Sequence, residues 1–144
     1  ILPNGRLAGG AKTLRLTENV SLTQSDIREL QLAKGAMAAG LKILAATPPR
    51  SIWLAGAFGS YIKEAAARAI GLLPQNVAIQ PVGNSALRGA RMLLLTPTHR
   101  DALLARLCAL TAHVELAANP AFQDTFAASM AFAPVSFRRP GASI

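Results

Sequence analysis

The fold is decided by a short apolar segment that runs directly into a glycine-containing turn: Ser51-Ile52-Trp53-Leu54-Ala55-Gly56-Ala57-Phe58-Gly59-Ser60. The apolar half, residues 51–56, predicts a strand that is buried on both faces. The next segment, Tyr61 to Ile70, predicts a helix that Gly71 closes, with Leu72 beyond it as in a Schellman motif. The stretch therefore predicts a strand, a glycine turn and a helix in succession.

The glycine turn at residues 56–60 has two possible uses. Small residues allow a ligand to approach the backbone, and the start of a helix offers unpaired N–H groups to polar or anionic atoms. Alternatively, Gly56 and Gly59 only supply unusual backbone angles or close packing. The spacing matches neither the G-x-G-x-x-G motif of dinucleotide folds nor the phosphate loop. By itself the turn leaves both uses open.

Upstream, Thr23 and Asp26 form a capping-box pattern that predicts a helix running to about Ala46, before Pro48 and Pro49. Short strands are predicted before it, over residues 12–17 and 20–22. One face of the helix collects six residues at steps of three and four: Ile27, Leu30, Lys34, Met37, Leu41 and Leu44. The charged member, Lys34, either extends its ammonium to water along the apolar face or borders a cleft and meets an anionic or polar ligand.

Downstream, the sequence predicts a strand over residues 77–80 and a helix from Ser85 to Leu95 with Asn84 as its N-cap. Gly89 inside that helix predicts close approach of a neighbouring backbone. A further helix is predicted to begin near Thr96 or Thr98, because Thr98 and Asp101 form a second capping-box pattern. The predicted apolar stripe of this helix is Leu103, Leu107, Leu110 and Val114. A final group of predicted core residues is Phe122, Phe126, Met130, Phe132 and Phe137.

Composition excludes several classes of protein. The 144 residues are 51% hydrophobic and 15% charged, which predicts one folded domain and excludes disorder for most of the chain. The formal charge is +8, but the basic residues are scattered, with no cluster longer than Arg138-Arg139. This favours a solvated surface over a nucleic-acid interface. No apolar run is long enough to span a membrane. The single cysteine, Cys108, excludes an internal disulfide, and a cytoplasmic location is expected.

The sequence displays no complete catalytic or metal site. His99 and His113 lack cysteines or paired carboxylates at ligand spacing. Glu64 and Arg68 are expected to form an ordinary helix pair, and Asp26 and Asp101 to serve as caps. No serine lies in a nucleophile-elbow sequence. We therefore assign no catalytic residue and no metal ligand.

Four ordered blocks of sequence resemble one family: residues 22–36, 54–62, 70–74, and 82–86 with Gly89-Ala90. They resemble the carboxy-terminal part of the reductive activators of corrinoid proteins. Those are ATP-dependent iron–sulfur proteins whose large domain belongs to the acetate and sugar kinase, heat-shock chaperone and actin superfamily. The closing residues Glu115-Leu116-Ala117, Phe122, Phe126, Met130 and Phe132 also match, so the resemblance covers roughly residues 20–133.

The resemblance implies an α/β fold that is part of the second lobe of a ribonuclease-H-like ATPase, with a small sheet covered by helices. Such activators use ATP, with magnesium, to drive electrons from a two-iron two-sulfur cluster to the cobalt of a corrinoid protein, from Co(II) to Co(I). The implied nucleotide-binding positions are Lys34, Gly56, Ala57, Phe58, Gly59, Ser60, Gly83 and Asn84. Ala57 departs from the pattern, since the superfamily often has two adjacent glycines there.

The family's cluster cysteines, phosphate-gripping loops and magnesium-side acidic residues belong to segments not found in these 144 residues. We therefore expect an adenosine-side portion of an ATP-binding domain that is inactive alone. Residues 1–19 are expected to be a truncated edge, 20–137 a single nucleotide-binding half-domain and 138–144 a tail. The expected partners are ATP, a corrinoid protein and a possible second copy. The alternative is a non-catalytic dimerisation or partner-docking domain, and RNA binding is suggested only by the charge.

Overall fold

The computed structural model describes residues 1–45, 47–135 and 137, with the side chain of Phe58 excepted. Its strands are β1 (Thr13–Arg15), β2 (Ser21–Thr23), β3 (Ser51–Ala55) and β4 (Ala78–Gly83). Its helices are α1 (Gln24–Leu44), α2 (Gly56–Tyr61), α3 (Glu64–Ala69), α4 (Ser85–Leu95), α5 (Arg100–Leu110) and α6 (Phe122–Ala128), with a 3-10 turn at Ala8–Gly10. The mixed α/β class with small sheets matches the prediction. No helix of the described chain is both long and apolar enough to cross a membrane.

The chain forms two compact units, and the first contains residues 1–49, 63–77 and the described part of 116–144. It begins with an antiparallel hairpin in which β1 pairs with β2, Thr13 opposite Thr23. Thr23 is then the N-cap of α1, and its hydroxyl oxygen accepts from the backbone N–H of Asp26 while Asp26 accepts from the Thr23 backbone. The predicted capping box is therefore confirmed. The helix ends at Leu44, and the predicted end at Ala46 lies outside the described residues.

The buried face of α1 differs from the predicted stripe. Among the six stripe residues, Leu30, Met37 and Leu44 are exposed, and the residues buried on α1 are Ile27, Gln31, Lys34, Gly35, Ala38, Ala39 and Gly40. The reason is the close approach of α6 and the chain that follows it. A Cβ placed on Gly35 would lie 3.2 Å from Met130 Cγ and 3.3 Å from Phe126 Cε2. Small residues therefore define this interface, and large apolar residues flank it.

The helix predicted over Tyr61–Ile70 is two shorter helices, α2 and α3, separated at Ile62 and Lys63. Only α3 belongs to the first unit. It ends in the predicted Schellman motif, because the N–H of Leu72 bonds the Ala67 carbonyl at 2.8 Å and the N–H of Gly71 bonds that of Arg68 at 3.0 Å. The predicted pair is also present, with Arg68 Nη2 2.7 Å from Glu64 Oε1.

The predicted phenylalanine core is only half-buried. Phe122, Phe126, Phe132 and Phe137 all retain partial exposure, and the rings of Phe122 and Phe126 stack with centroids 6.0 Å apart. The chain after α6 returns to the segment after α3, where the N–H of Gln75 bonds the Val135 carbonyl at 2.7 Å. The core of this unit is thus formed by α1, the end of α3 and the return segment, with Leu72, Leu73 and Val77 buried.

The second unit contains residues 50–62 and 78–115. In it β3 runs parallel to β4, with Ser51 opposite Ala78 and Ala55 opposite Gly83 after a register shift. The prediction that this strand is buried on both faces was wrong. Its exposure alternates along the strand and Trp53 is 71% exposed, because a two-stranded sheet leaves one set of side chains uncovered in this unit.

Helix α4 has the predicted bounds, Ser85–Leu95, whereas three predictions for α4 and α5 are wrong. The side chain of Asn84 caps α4 as predicted, accepting from the N–H of Leu87 at 3.0 Å. A Cβ on Gly89 would meet nothing within 4 Å, so the predicted close backbone contact is absent there. Helix α5 begins at Arg100 without a side-chain cap, because Asp101 pairs with Arg100 instead of capping. Leu103, Leu107 and Leu110 are exposed, and Val114 lies beyond the helix.

Candidate functional site

The candidate site lies at the carboxyl edge of the two parallel strands β3 and β4. Ala55 is the last residue of β3 and pairs with Gly83, the last residue of β4. The residues that follow, Gly56 and Asn84, therefore leave the sheet at the same edge. In open α/β sheets, ligands bind beyond the carboxyl ends of the strands. The parallel pairing thus brings together the two glycine-bearing segments that the sequence analysis singled out.

Both glycines of this edge leave the backbone open. Gly56 has φ +90° and Gly83 has φ +64°, a region that residues with a side chain rarely adopt. Apart from chain neighbours and, for Gly56, the nearby backbone of α2, a Cβ on either residue would meet no described atom within 4 Å. Since the space that a side chain would fill is empty, a ligand can approach the main chain directly at both positions.

The segment predicted as a glycine turn is itself helical. Residues 56–61 form α2, which shares only Tyr61 with the helix predicted over residues 61–70, and Gly56 at its start has a positive φ. The hydroxyl of Ser60 donates to the Gly56 carbonyl at 3.1 Å. Ala57 and Ser60 are exposed. Phe58 lies in the same helix, and its side chain is outside the described part of the structure.

Gly59 has a packing role. It is buried, and a Cβ there would lie 2.8 Å from Leu54 Cγ, closer than real side chains approach. The missing side chain lets α2 lie directly against β3. Of the two uses considered for the turn, close packing therefore applies to Gly59, while Gly56 combines an unusual backbone angle with open space.

Asn84 supplies the polar side chain of the edge. Its Oδ1 atom is used by the helix cap on Leu87, whereas its side-chain N–H₂ group has no hydrogen-bond partner among the described residues. Asn84 is exposed. The residue thus presents a free amide donor beside Gly83, at the positive end of the α4 dipole.

Lys34 belongs to the first unit and is fully enclosed there. Its side chain is 1% exposed, and Nζ donates to the Ser129 carbonyl at 2.6 Å and to the Ala131 carbonyl. Of the two alternatives for Lys34, extension of the ammonium to water does not apply, because these carbonyls satisfy it internally. Burial lowers the pKa of Lys34, and the nearby charge of Lys42 lowers it further. The two lysines line an open cavity of about 250 Å³ with Ser129 and Ala131.

Sequence reasoning missed Ser129 and Ala131, the partners of Lys34. They are backbone carbonyls 95 and 97 residues away, so no side-chain pattern marks them. Seven of the eight predicted site residues belong to the second unit, and five of them, Gly56, Ala57, Ser60, Gly83 and Asn84, cluster at the strand edge with exposed or open positions. In the described chain no three His, Cys, Asp or Glu side chains gather as a metal site would need.

Comparison with known proteins defines the class first, as an ASKHA domain with an actin-like ATPase fold. The chain belongs to the family described as the C-terminal domain of RACo, the ASKHA domain, whose model matches residues 6–140. The predicted family and fold are confirmed by this match.

Two relatives cover most of this chain. It is 36% identical over 117 residues to the corrinoid activation enzyme RamQ of Eubacterium limosum, a match that covers 76% of this chain and 20% of that protein. It also matches the solved structure of a reductive activator for corrinoid, iron-sulfur protein, with a TM-score of 0.75 and 26% identity over 93% of this chain. The match covers 26% of that second protein, so this chain spans only a part of the length of both relatives.

Proposed function

We propose that this chain forms the adenosine-side wall of the ATP site in a protein that activates corrinoid proteins reductively. The observation that carries the proposal is the pairing of Ala55 with Gly83, which brings two open glycines and the free amide of Asn84 to one sheet edge. The membership of the chain in the ASKHA family supports a nucleotide as the ligand.

The residues of the edge suit the neutral, flat part of a nucleotide. Gly56 and Gly83 place no side chain in the way, so the ring or sugar can lie against the main chain. The Asn84 amide donates one hydrogen bond to an acceptor atom. Ala57 and Ser60 are exposed on α2 beside this edge, and Phe58 and Gly59 of the same helix are proposed contributors on the strength of the family resemblance. The resemblance also names Lys34, but its ammonium is satisfied by carbonyls within the first unit, so we propose no nucleotide contact for it. When bound, the nucleotide supplies the free energy of ATP hydrolysis.

The further parts of the activity are proposed for the protein that carries this chain. The names of both relatives support a corrinoid protein as the partner. We propose reduction of its cobalt from Co(II) to Co(I), with magnesium accompanying ATP and a two-iron two-sulfur cluster supplying electrons. Cys108 is the single cysteine of the chain and cannot provide the four thiolates of such a cluster, so the cluster belongs to another segment. The cytoplasmic location and the domain division at residues 20 and 137 stay predictions, and the tail at 138–144 lies outside the described residues.

The alternative, a dimerisation or partner-docking domain, is favoured by one observation. Helices α4 and α5 carry large apolar side chains that are 49–79% exposed. They are Leu87, Leu94, Leu95, Leu107 and Leu110. Analytical ultracentrifugation of the protein over a range of concentrations tests the dimerisation hypothesis. A dimerisation domain is expected to show a molecular mass that doubles as the concentration rises. A constant monomer mass at all concentrations contradicts it.

The test of the nucleotide site is the substitution Gly56→Val, with ATP affinity measured by isothermal titration calorimetry. A branched side chain at the open edge is expected to weaken ATP binding at least about tenfold, since it occupies the ligand's path. Gly9→Val is the matched control, because Gly9 also has a positive φ, +68°, and open space around its Cβ position but belongs to the first unit. Unchanged ATP affinity in Gly56→Val would overturn the proposal.

A further inference from the structure

A cavity of about 370 Å³ lies in the first unit, between the N-terminal loop and the first half of α1. Three of its lining residues are cations, Arg6, Lys12 and Arg28, and none of the lining residues is acidic. Its volume falls within the range of small-molecule sites, roughly 300–1,000 Å³. No sequence pattern predicted this cavity. Its three cations are spread over the chain from Arg6 to Arg28, at most 22 positions apart, and form no basic cluster in the sequence.

The wall of this cavity is held by hydrogen bonds that do not use the charged side-chain groups of the cations. Gln24 accepts from the N–H of Leu7 at 3.1 Å and donates to the Gly5 carbonyl at 2.8 Å. Gln31, which is buried, donates to the Asn4 carbonyl at 3.2 Å. The carbonyl of Lys12 accepts from the N–H of Gln24 at 3.0 Å. The loop is thus fixed to α1 at several points, and the cavity is a built feature of the unit.

The three cationic side chains have no partners within the described chain. The side chains of Arg6, Lys12 and Arg28 are exposed and make no hydrogen bond or ion pair with described residues, so their donors are available to a ligand. The carboxylate of Asp26, also in the first turns of α1, is engaged by Thr23 and does not line the cavity. Three cations around one concavity give it a positive potential, which favours the approach of an anion.

We propose that this cavity is an anion site that takes a small molecule with two or more linked phosphate groups. Guanidinium groups match the geometry of phosphate oxygens and bind them through paired hydrogen bonds. Linked phosphates carry several charges and many acceptor oxygens in a compact volume, which uses the donors of all three cations. The inference rests on the cavity alone and is independent of the proposed function.

The test is calorimetric titration of the protein that carries this chain with inorganic tripolyphosphate, and with citrate as a polycarboxylate probe. Tripolyphosphate is expected to bind and to raise the unfolding temperature, since a ligand of the folded state stabilises it. The double variant Arg6→Gln with Arg28→Gln is expected to lose about tenfold to a hundredfold in affinity, the scale of lost charge-assisted hydrogen bonds. Citrate is expected to bind more weakly.

The matched control removes the same charge elsewhere. Arg91→Gln with Arg106→Gln alters two exposed arginines of α4 and α5 and is expected to leave tripolyphosphate affinity nearly unchanged. If the Arg6 and Arg28 variant unfolds, Lys12→Gln replaces it, because only the Lys12 backbone is used by the fold. Equal weakening in the control, equal binding of citrate, or no binding of tripolyphosphate would overturn the proposal.

Discussion

The surroundings of Lys34 and the carboxyl edge of β3 and β4 use polar groups in opposite ways. Around Lys34, in the first unit, an enclosed ammonium is satisfied by two carbonyls of the same chain. At the strand edge, in the second unit, the Asn84 amide and the backbone at Gly56 and Gly83 are left open. A buried donor must be paired for the fold to be stable, whereas an unpaired exposed donor costs little and is available to a ligand. The difference separates residues that hold the fold from residues able to bind.

The largest effect that would test this contrast is expected from Lys34→Ala. The substitution leaves the Ser129 and Ala131 carbonyls without their donor and removes a buried side chain. A loss of about 2–5 kcal/mol in the free energy of unfolding is expected, measured by chemical denaturation. The matched control is Lys42→Ala, which removes an exposed side chain with a single hydrogen bond to Ser129 and is expected to cost less than about 1 kcal/mol. Equal losses of unfolding free energy in the two variants would contradict the conclusion that the buried ammonium of Lys34 holds the fold.

An intermediate effect is expected from Asn84→Ala at the open edge. Loss of the α4 cap should reduce the free energy of unfolding by about 1 kcal/mol. Asn84→Ser keeps a capping oxygen but removes the free amide, so it should restore stability without restoring ATP affinity. Thermal unfolding and calorimetry on the same two variants separate the roles. If Asn84→Ser recovered both, the amide would not be a ligand contact.

The smallest effect is the expected change in unfolding temperature when the pH is raised. Burial and Lys42 lower the pKa of Lys34 in the folded protein below the ordinary value of 10.5. Between the folded and the unfolded pKa, the unfolded chain binds more protons, so the contribution of Lys34 to stability rises with pH across that window. The unfolding temperature of the native sequence relative to Lys34→Met should therefore increase as pH approaches 10.5. A constant difference between the two would show that the ammonium has its ordinary pKa.

Features set by neighbouring residues were predictable from the sequence. The Thr23 capping box, the Asn84 cap and the Gly71 Schellman motif each depend on residues within five positions of one another, and all three are present. The strand edge was also within reach, because a strand followed by a glycine and a helix implies which end of the sheet the glycine occupies.

Features set by distant residues were not predictable. Lys34 meets carbonyls 95 and 97 residues away, and a backbone carbonyl has no signature in the sequence. The close approach to Gly35 depends on Phe126 and Met130, so periodicity identified Ile27 and Lys34 as buried but missed the small buried residues of α1. The predicted cap of α5 was wrong for a local reason. Asp101 had two possible partners, and it forms an ion pair with Arg100.

The hydrogen bonds from Lys34 to the Ser129 and Ala131 carbonyls have a consequence for folding during synthesis of the chain. Helix α1 is synthesised long before residues 129–131, and until these residues are present water supplies the acceptors of the Lys34 ammonium. The buried position of Lys34 therefore forms only after residues 129–131 have been synthesised, so this contact closes the unit late in the growth of the chain.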